Sequence, residues 1–148
     1  MTKISFGLNF DLPVVNPIKY CSMNFNQFTI KSQEVIQKAQ QLTQEMGHQQ
    51  IEPEHLFQAM LQHDRDVTPY LLKKLNVNTG LLSEITQKQL QSYPKVSGGE
   101  IAASRTTAQI LNQALILAKN NKDEFASVAH LLWALFEIKG TIGQALKD

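Results

Sequence analysis

The sequence predicts an all-α fold, a compact pseudo-two-fold bundle of about seven or eight helices, on three observations. No stretch shows convincing two-residue alternation, so the apolar pattern is helical throughout. A shift of 75 positions brings up a second copy of the apolar register, which holds over about 34 positions without a gap. Between the copies, residues 93–100 (Tyr-Pro-Lys-Val-Ser-Gly-Gly-Glu) form the clearest breaker in the chain, a surface loop. The shift places His55 and Leu56 on His130 and Leu131, Val35 and Ile36 on Ile110 and Leu111, and Ala39 on Ala114. It also places Ser32 on Thr107 and Thr29 on Ser104. The period is too long and the copies too few for a solenoid, so the two copies are expected to pack on each other.

The first predicted helix runs over about 29–46. Thr29 or Ser32 caps it, and Val35, Ile36, Ala39, Leu42 and Met46 share one face. Gly47 follows as the left-handed residue past its end. The second helix starts at a cap at Glu52 with Pro53 in the first position, where a missing N–H costs nothing. Leu56, Phe57, Ala59, Met60 and Leu61 leave it hardly any polar face, which calls for burial. A short helix opened by Thr68 and Pro69 runs to Leu75. A fourth, capped by Thr79, runs over 80–92 with a sparse apolar stripe that suits the surface. The second copy repeats the plan with a helix over about 104–121, a linker over 122–126, and a helix capped by Ser127 through Ile138. Gly140 then stops it and Thr141 caps a last helix. Trp133, at helical spacing from Phe136, reads as a core residue.

Residues 1–22 lack helical period and read as an irregular extension. Lys3 is a thin basic region, Asn9 and Asp11 interrupt the apolar stretch, and no small-residue cleavage site follows, which argues against a signal peptide. Met23 makes a natural beginning for the domain over 23–148: repeat one over about 28–92, a loop over 93–103, and repeat two over about 104–148.

Fourteen basic and thirteen acidic residues leave a net charge of +1, so there is no electrostatic footprint for nucleic acid or an anionic membrane. No run approaches the ~20 apolar residues of a spanning helix. Cys21, the only cysteine, excludes a disulfide framework and a cysteine-based zinc site, and suits a reducing compartment.

The histidines do not have the i, i+4 spacing of a helical zinc site. His55 and His130 occupy equivalent positions, each in the first turn of a buried helix. They are expected to hydrogen-bond backbone or a cap residue there. Glu52 and Glu54 suit a helix N-terminus without any acid–base role. No nucleophile–base set or P-loop is present, so neither catalysis nor ATP binding is expected of this chain. Binding remains, with the inter-helix linkers as its best sites.

The double copy of helix, short linker and Pro-Glu-His-Leu-x-x-Ala-x-Leu resembles the Clp amino-terminal domain family. Phe28-Thr29, Ala39-Gln40-Gln41-Leu42, Met46-Gly47-His48 and Ile51-Glu52-Pro53-Glu54-His55-Leu56 carry the resemblance, which covers 23–148. Within the family the loop after Tyr93 resembles that of ClpB-type disaggregases more than that of ClpA- or ClpC-type proteolytic unfoldases. The resemblance implies an eight-helix double repeat. It also implies a monomeric module, flexibly joined to the ATPase rings of a cytoplasmic hexamer, that recruits unfolded or aggregated polypeptide. ATP and Mg²⁺ would belong to those rings, and no cofactor or metal to this chain. The implied substrate-binding residues are Thr29, Asp123, and Ile110 with Leu111 as an apolar groove. Phe125 of the second linker and His130 at the following helix start join them. His130 is a departure, since some members have an apolar groove residue there. The competing readings are a dock for a folded adaptor, as in the ClpA- or ClpC-type unfoldases, and a free-standing helical enzyme or metal protein.

Overall fold

The computed structural model describes residues 25–96 and 99–138, and the expected extension over 1–22 and last helix from Thr141 lie outside them. Six helices are present among the described residues: α1 (Ile30–Glu45), α2 (Pro53–His63), α3 (Val67–Lys74), α4 (Thr79–Ser92), α5 (Arg105–Asn120) and α6 (Val128–Glu137). A 3-10 turn over Phe25–Gln27 precedes α1. Two strands of two residues, β1 (Gln50–Ile51) and β2 (Ala102–Ala103), pair in parallel, Gln50 with Ala102 and Ile51 with Ala103. The sequence reading missed this pair because two residues are too few to show alternation.

α1 and α5 are built by the same rules at equivalent positions. The Thr29 hydroxyl accepts from the Ser32 N–H at 3.2 Å, and Ser104 from the Thr107 N–H at 3.2 Å. Val35, Ile36 and Ala39 line the buried face of α1; Ile110, Leu111 and Ala114 line that of α5. Both helices end in the same two-bond turn. His48 N–H reaches Thr43 O at 2.9 Å, and Asp123 N–H reaches Ala118 O at 2.8 Å. This turn needs a left-handed residue after the cap. Repeat one supplies Gly47 at φ 72°, whereas repeat two forces Lys122 to φ 62°.

The repeats do not merely abut; each start is bonded to the other's linker. Thr29 N–H donates to Ala126 O at 2.9 Å, and Ser104 N–H donates to Ile51 O at 3.1 Å. The Ser32 hydroxyl adds a bond to Ala126 O at 3.0 Å, and the Thr107 hydroxyl one to Ile51 O at 2.7 Å. Phe28 bridges in parallel to Ala126, as Ala103 pairs with Ile51. Two hydrogen bonds in each direction therefore join the repeats through these backbone groups, where an unpaired buried group would cost about 1–3 kcal/mol.

α2 runs through the middle. Leu56, Phe57, Ala59 and Met60 are fully buried, each large side chain contributing about 1.5–3 kcal/mol. α1 packs on α2 and α5 on α6, α3 reaches across to α6, and α4 lies on α2 with Leu82, Thr86 and Leu90 turned inward. The cap of α4 is Asn78 rather than Thr79, because the Asn78 carboxamide oxygen accepts from Leu81 N–H at 3.0 Å. α3 starts one residue earlier than expected, held by the buried Asp64 carboxylate, which accepts from Asp66, Val67 and Thr68 N–H and from the Thr68 hydroxyl. Trp133 is a correction: it is 53% exposed. The buried face of α6 is set by Val128, Leu131, Leu132 and Leu135, and a residue at 133 points away from it.

Candidate functional site

The second linker, 121–127, is the best-built surface element. Its left-handed Lys122 turns Asp123 outward, and the Asp123 carboxylate, half exposed, meets His130 Nε2 at 3.1 Å. His130 is the third residue of α6, and its Nδ1 accepts from Ser127 N–H at 2.9 Å in a capping box. That bond leaves the neutral ring its proton on Nε2, which donates to Asp123. The carboxylate is thereby steadied while about half of its side chain faces solvent. Phe125, 43% exposed, stands two residues on, and Ala126 then ties the linker to Thr29.

Thr29, Asp123, Phe125 and His130 are thus brought onto one strip, formed by the start of α1 and the second linker. Ile110 and Leu111 are not on its surface. Each is 1% exposed and packed in the core on the inward face of α5. Their equivalents Val35 and Ile36 are core residues for the same reason. The strip's missed member is Ile30, 74% exposed beside the Thr29 cap. Its signal was in the sequence. Ile30 falls on the stripe of Gln33, Gln37 and Gln41, where a structural residue would be polar.

The first linker has the same backbone and different chemistry. His55, the equivalent of His130, again accepts from the cap residue's N–H, Glu52 N to Nδ1 at 2.9 Å. Both capping histidines therefore do what their position in the sequence foretold. The position of Asp123 is taken by His48, whose Nδ1 lies 2.7 Å from His55 Nε2. Tyr93 packs on both rings and donates its hydroxyl to the buried Glu54 carboxylate at 2.7 Å. Burial pushes His55 down to about 3, helped by His48 beside it, and burial with Lys95 lowers His48. Burial raises Glu54 and Tyr93. The cluster is closed and inward, with His48, Glu54 and His55 all buried.

Among the described residues no three His, Cys, Asp or Glu side chains converge as a metal site, and no helix is long and apolar enough to cross a membrane. Two interlocked helical repeats with capping histidines define a class of domain, and comparison with known proteins supplies its name. The model of the Clp repeat (R) N-terminal domain family matches residues 27–148, and the chain belongs to that family. It is 43% identical over 126 residues to the chaperone protein ClpB of Bacteroides thetaiotaomicron, which covers 85% of this chain and 15% of that protein. It is 37% identical over 126 residues to ClpB of Porphyromonas gingivalis, with the same coverages of 85% and 15%. The chain therefore spans about 15% of the length of these curated relatives. The Hsp104 N-terminal domain from Candida albicans shares the fold at a TM-score of 0.73 and 24% identity, over 82% of this chain and 80% of that one. The N-terminal domain of ClpD from Arabidopsis thaliana does so at 0.66 and 20%, over 85% and 86%.

Proposed function

We propose that this chain is the recruiting module of a ClpB-type disaggregase and engages exposed apolar segments of unfolded or aggregated polypeptide. The observation that carries the reading is the strip itself: exposed Ile30 and Phe125 lie on the two bonded segments that also hold Thr29 and the half-exposed Asp123. The ClpB names of the relatives support the same direction. A client exposes apolar side chains in no fixed order, so its receptor needs a shallow apolar surface with few polar edges. Single contacts of this kind are weak, and several modules on one ring raise avidity without a tighter site. ATP and Mg²⁺ belong to the ring modules of the longer, cytoplasmic parent, and this module is not an enzyme.

Replacing both apolar members, Ile30→Asp with Phe125→Asp, tests the reading in a fluorescence-anisotropy titration with a labelled, permanently unfolded polypeptide. The expected result is at least a tenfold loss of affinity with unchanged helical circular dichroism. Unchanged affinity in the folded double variant rejects the strip as the client site. Binding of a folded adaptor in place of unfolded chain would favour the adaptor dock of the ClpA- and ClpC-type unfoldases.

A further inference from the structure

We propose that the buried His48–His55 pair is an acid-operated latch that holds the Tyr93–Val96 segment against repeat one. The proton inventory of the pair carries the inference. His55 Nδ1 accepts from Glu52 N–H at 2.9 Å, so the neutral ring bears its proton on Nε2. That proton is donated across 2.7 Å to His48 Nδ1, which places the His48 proton on Nε2, a buried nitrogen that meets no hydrogen-bond partner among the described residues. Every lone pair of the two rings is then in use. A further proton has only two places to go. On His55 Nδ1 it faces the Glu52 N–H and opens the capping box of α2. On His48 Nδ1 it faces the His55 Nε2–H, and relieving that clash by moving the His55 proton to Nδ1 again opens the box. No protonated form of the pair keeps both bonds.

The loop hangs on this pair. Tyr93 packs edge-on against His48 and stacks on His55, with ring centroids 5.8 and 6.5 Å apart. Val96 N–H donates to Gly47 O at 2.8 Å and Ala102 N–H to Gln49 O at 3.3 Å, on either side of His48. Lys95 from the loop disfavours charge on His48, while Glu52 at the start of α2 favours it. Glu54, also on α2, meets the pair through Tyr93. α1, α5 and α6 bring apolar core side chains to α2, among them Val35, Ile110 and Leu131. Burial accordingly holds His55 down at about 3 and lowers His48. Stability from the neutral pair is thus complete above the unfolded value of 6.5 and is lost as pH falls below it. Among the described residues repeat two has no such pair. There the capping histidine faces Asp123, 3.1 Å from His130 Nε2, and not a second ring.

The test is a pH series on the full chain from 7.5 downward, following the ring carbons of His48 and His55 and the amide exchange of Tyr93, Lys95 and Val96 by NMR. The expected result is that both rings stay neutral well below their ordinary range and then titrate together with loss of protection in the loop. The unfolding constant rises up to about tenfold per pH unit for each histidine that must be neutral to fold. His48→Asn keeps an acceptor for His55 Nε2–H that takes no proton, and should flatten that slope by up to about tenfold per unit. Rings that titrate in their ordinary range, or that titrate with the loop amides unmoved, overturn the latch. So does a wild-type slope in folded His48→Asn; should that variant not fold, the wild-type ring titration decides alone.

Discussion

The two linkers, 46–52 and 121–127, share their backbone turns and caps and differ in what their side chains face. Each leaves its helix through a left-handed turn, offers a carbonyl to the other repeat, and enters the next helix through a capping box closed by a histidine. At the position contacting that histidine, repeat one has His48, 6% exposed, and repeat two has Asp123, whose side chain is 51% exposed. Linker one is roofed by the Tyr93–Val96 segment, whereas linker two presents Asp123 and Phe125 outward. One scaffold has been specialised by a few side chains. The first copy is covered and the second is exposed. The outer faces of the buried helices follow suit, with Gln58 buried in repeat one and its equivalent Trp133 exposed.

The equivalence can be broken most severely in the core. Leu111→Asp places a carboxylate at a 1% exposed position and should cost more than about 4 kcal/mol, as should Ile36→Asp at its equivalent. Both should abolish the cooperative melt by circular dichroism. A folded Leu111→Asp variant that merely lost client binding would return Leu111 to the surface.

Asp64→Ala removes a carboxylate that accepts four bonds at the start of α3 and should cost about 2 kcal/mol by urea denaturation. Burial alone would raise this carboxyl, but the bonds from Thr68, Asp66 and Val67 outweigh it and hold it low. Its contribution is therefore present above the unfolded value of 3.8 and lost as pH falls through the lower folded value. The variant should lose acid sensitivity at that end of the scale.

The reciprocal bonds sharpen the comparison further. Ser32→Ala and Thr107→Ala each remove one hydroxyl from the other repeat's carbonyl, and should cost about 1 kcal/mol apiece in urea melts. Matching losses would confirm that the two joints are equivalent in energy as well as geometry. Smallest is the left-handed residue. Lys122→Gly should gain about 0.5–1 kcal/mol, and Gly47→Ala should lose about 1 kcal/mol, since only the first substitution relieves a positive φ. Opposite signs in the two melting temperatures check the pair.

Most of this architecture was legible because caps and periodicity are local. Thr29, Ser104, Ser127, Glu52 and Gly47 announce helix ends through chemistry within four residues, and they fell where expected. What escaped is what the other repeat decides. The β1–β2 pair is two residues deep and exists only because the halves meet. Trp133 has a core residue's composition but sits between the inward positions of α6. Ile110 and Leu111 were assigned to a groove by resemblance, although the internal shift already paired them with core residues Val35 and Ile36. In the candidate strip, Thr29, Asp123, Phe125 and His130 are the residues the family resemblance implies. Ile30 is legible as an apolar residue on a polar stripe, next to the stronger cap signal of Thr29.

An NMR titration of the chain with a permanently unfolded polypeptide measures most directly whether the bare linker is the binding copy. The expected result is salt-insensitive shifts at Thr29, Ile30, Asp123, Phe125 and His130, with silence at His48, Gln49 and Gln50. Shifts centred on the first linker, or none with unfolded chain, would contradict the division of labour between the repeats.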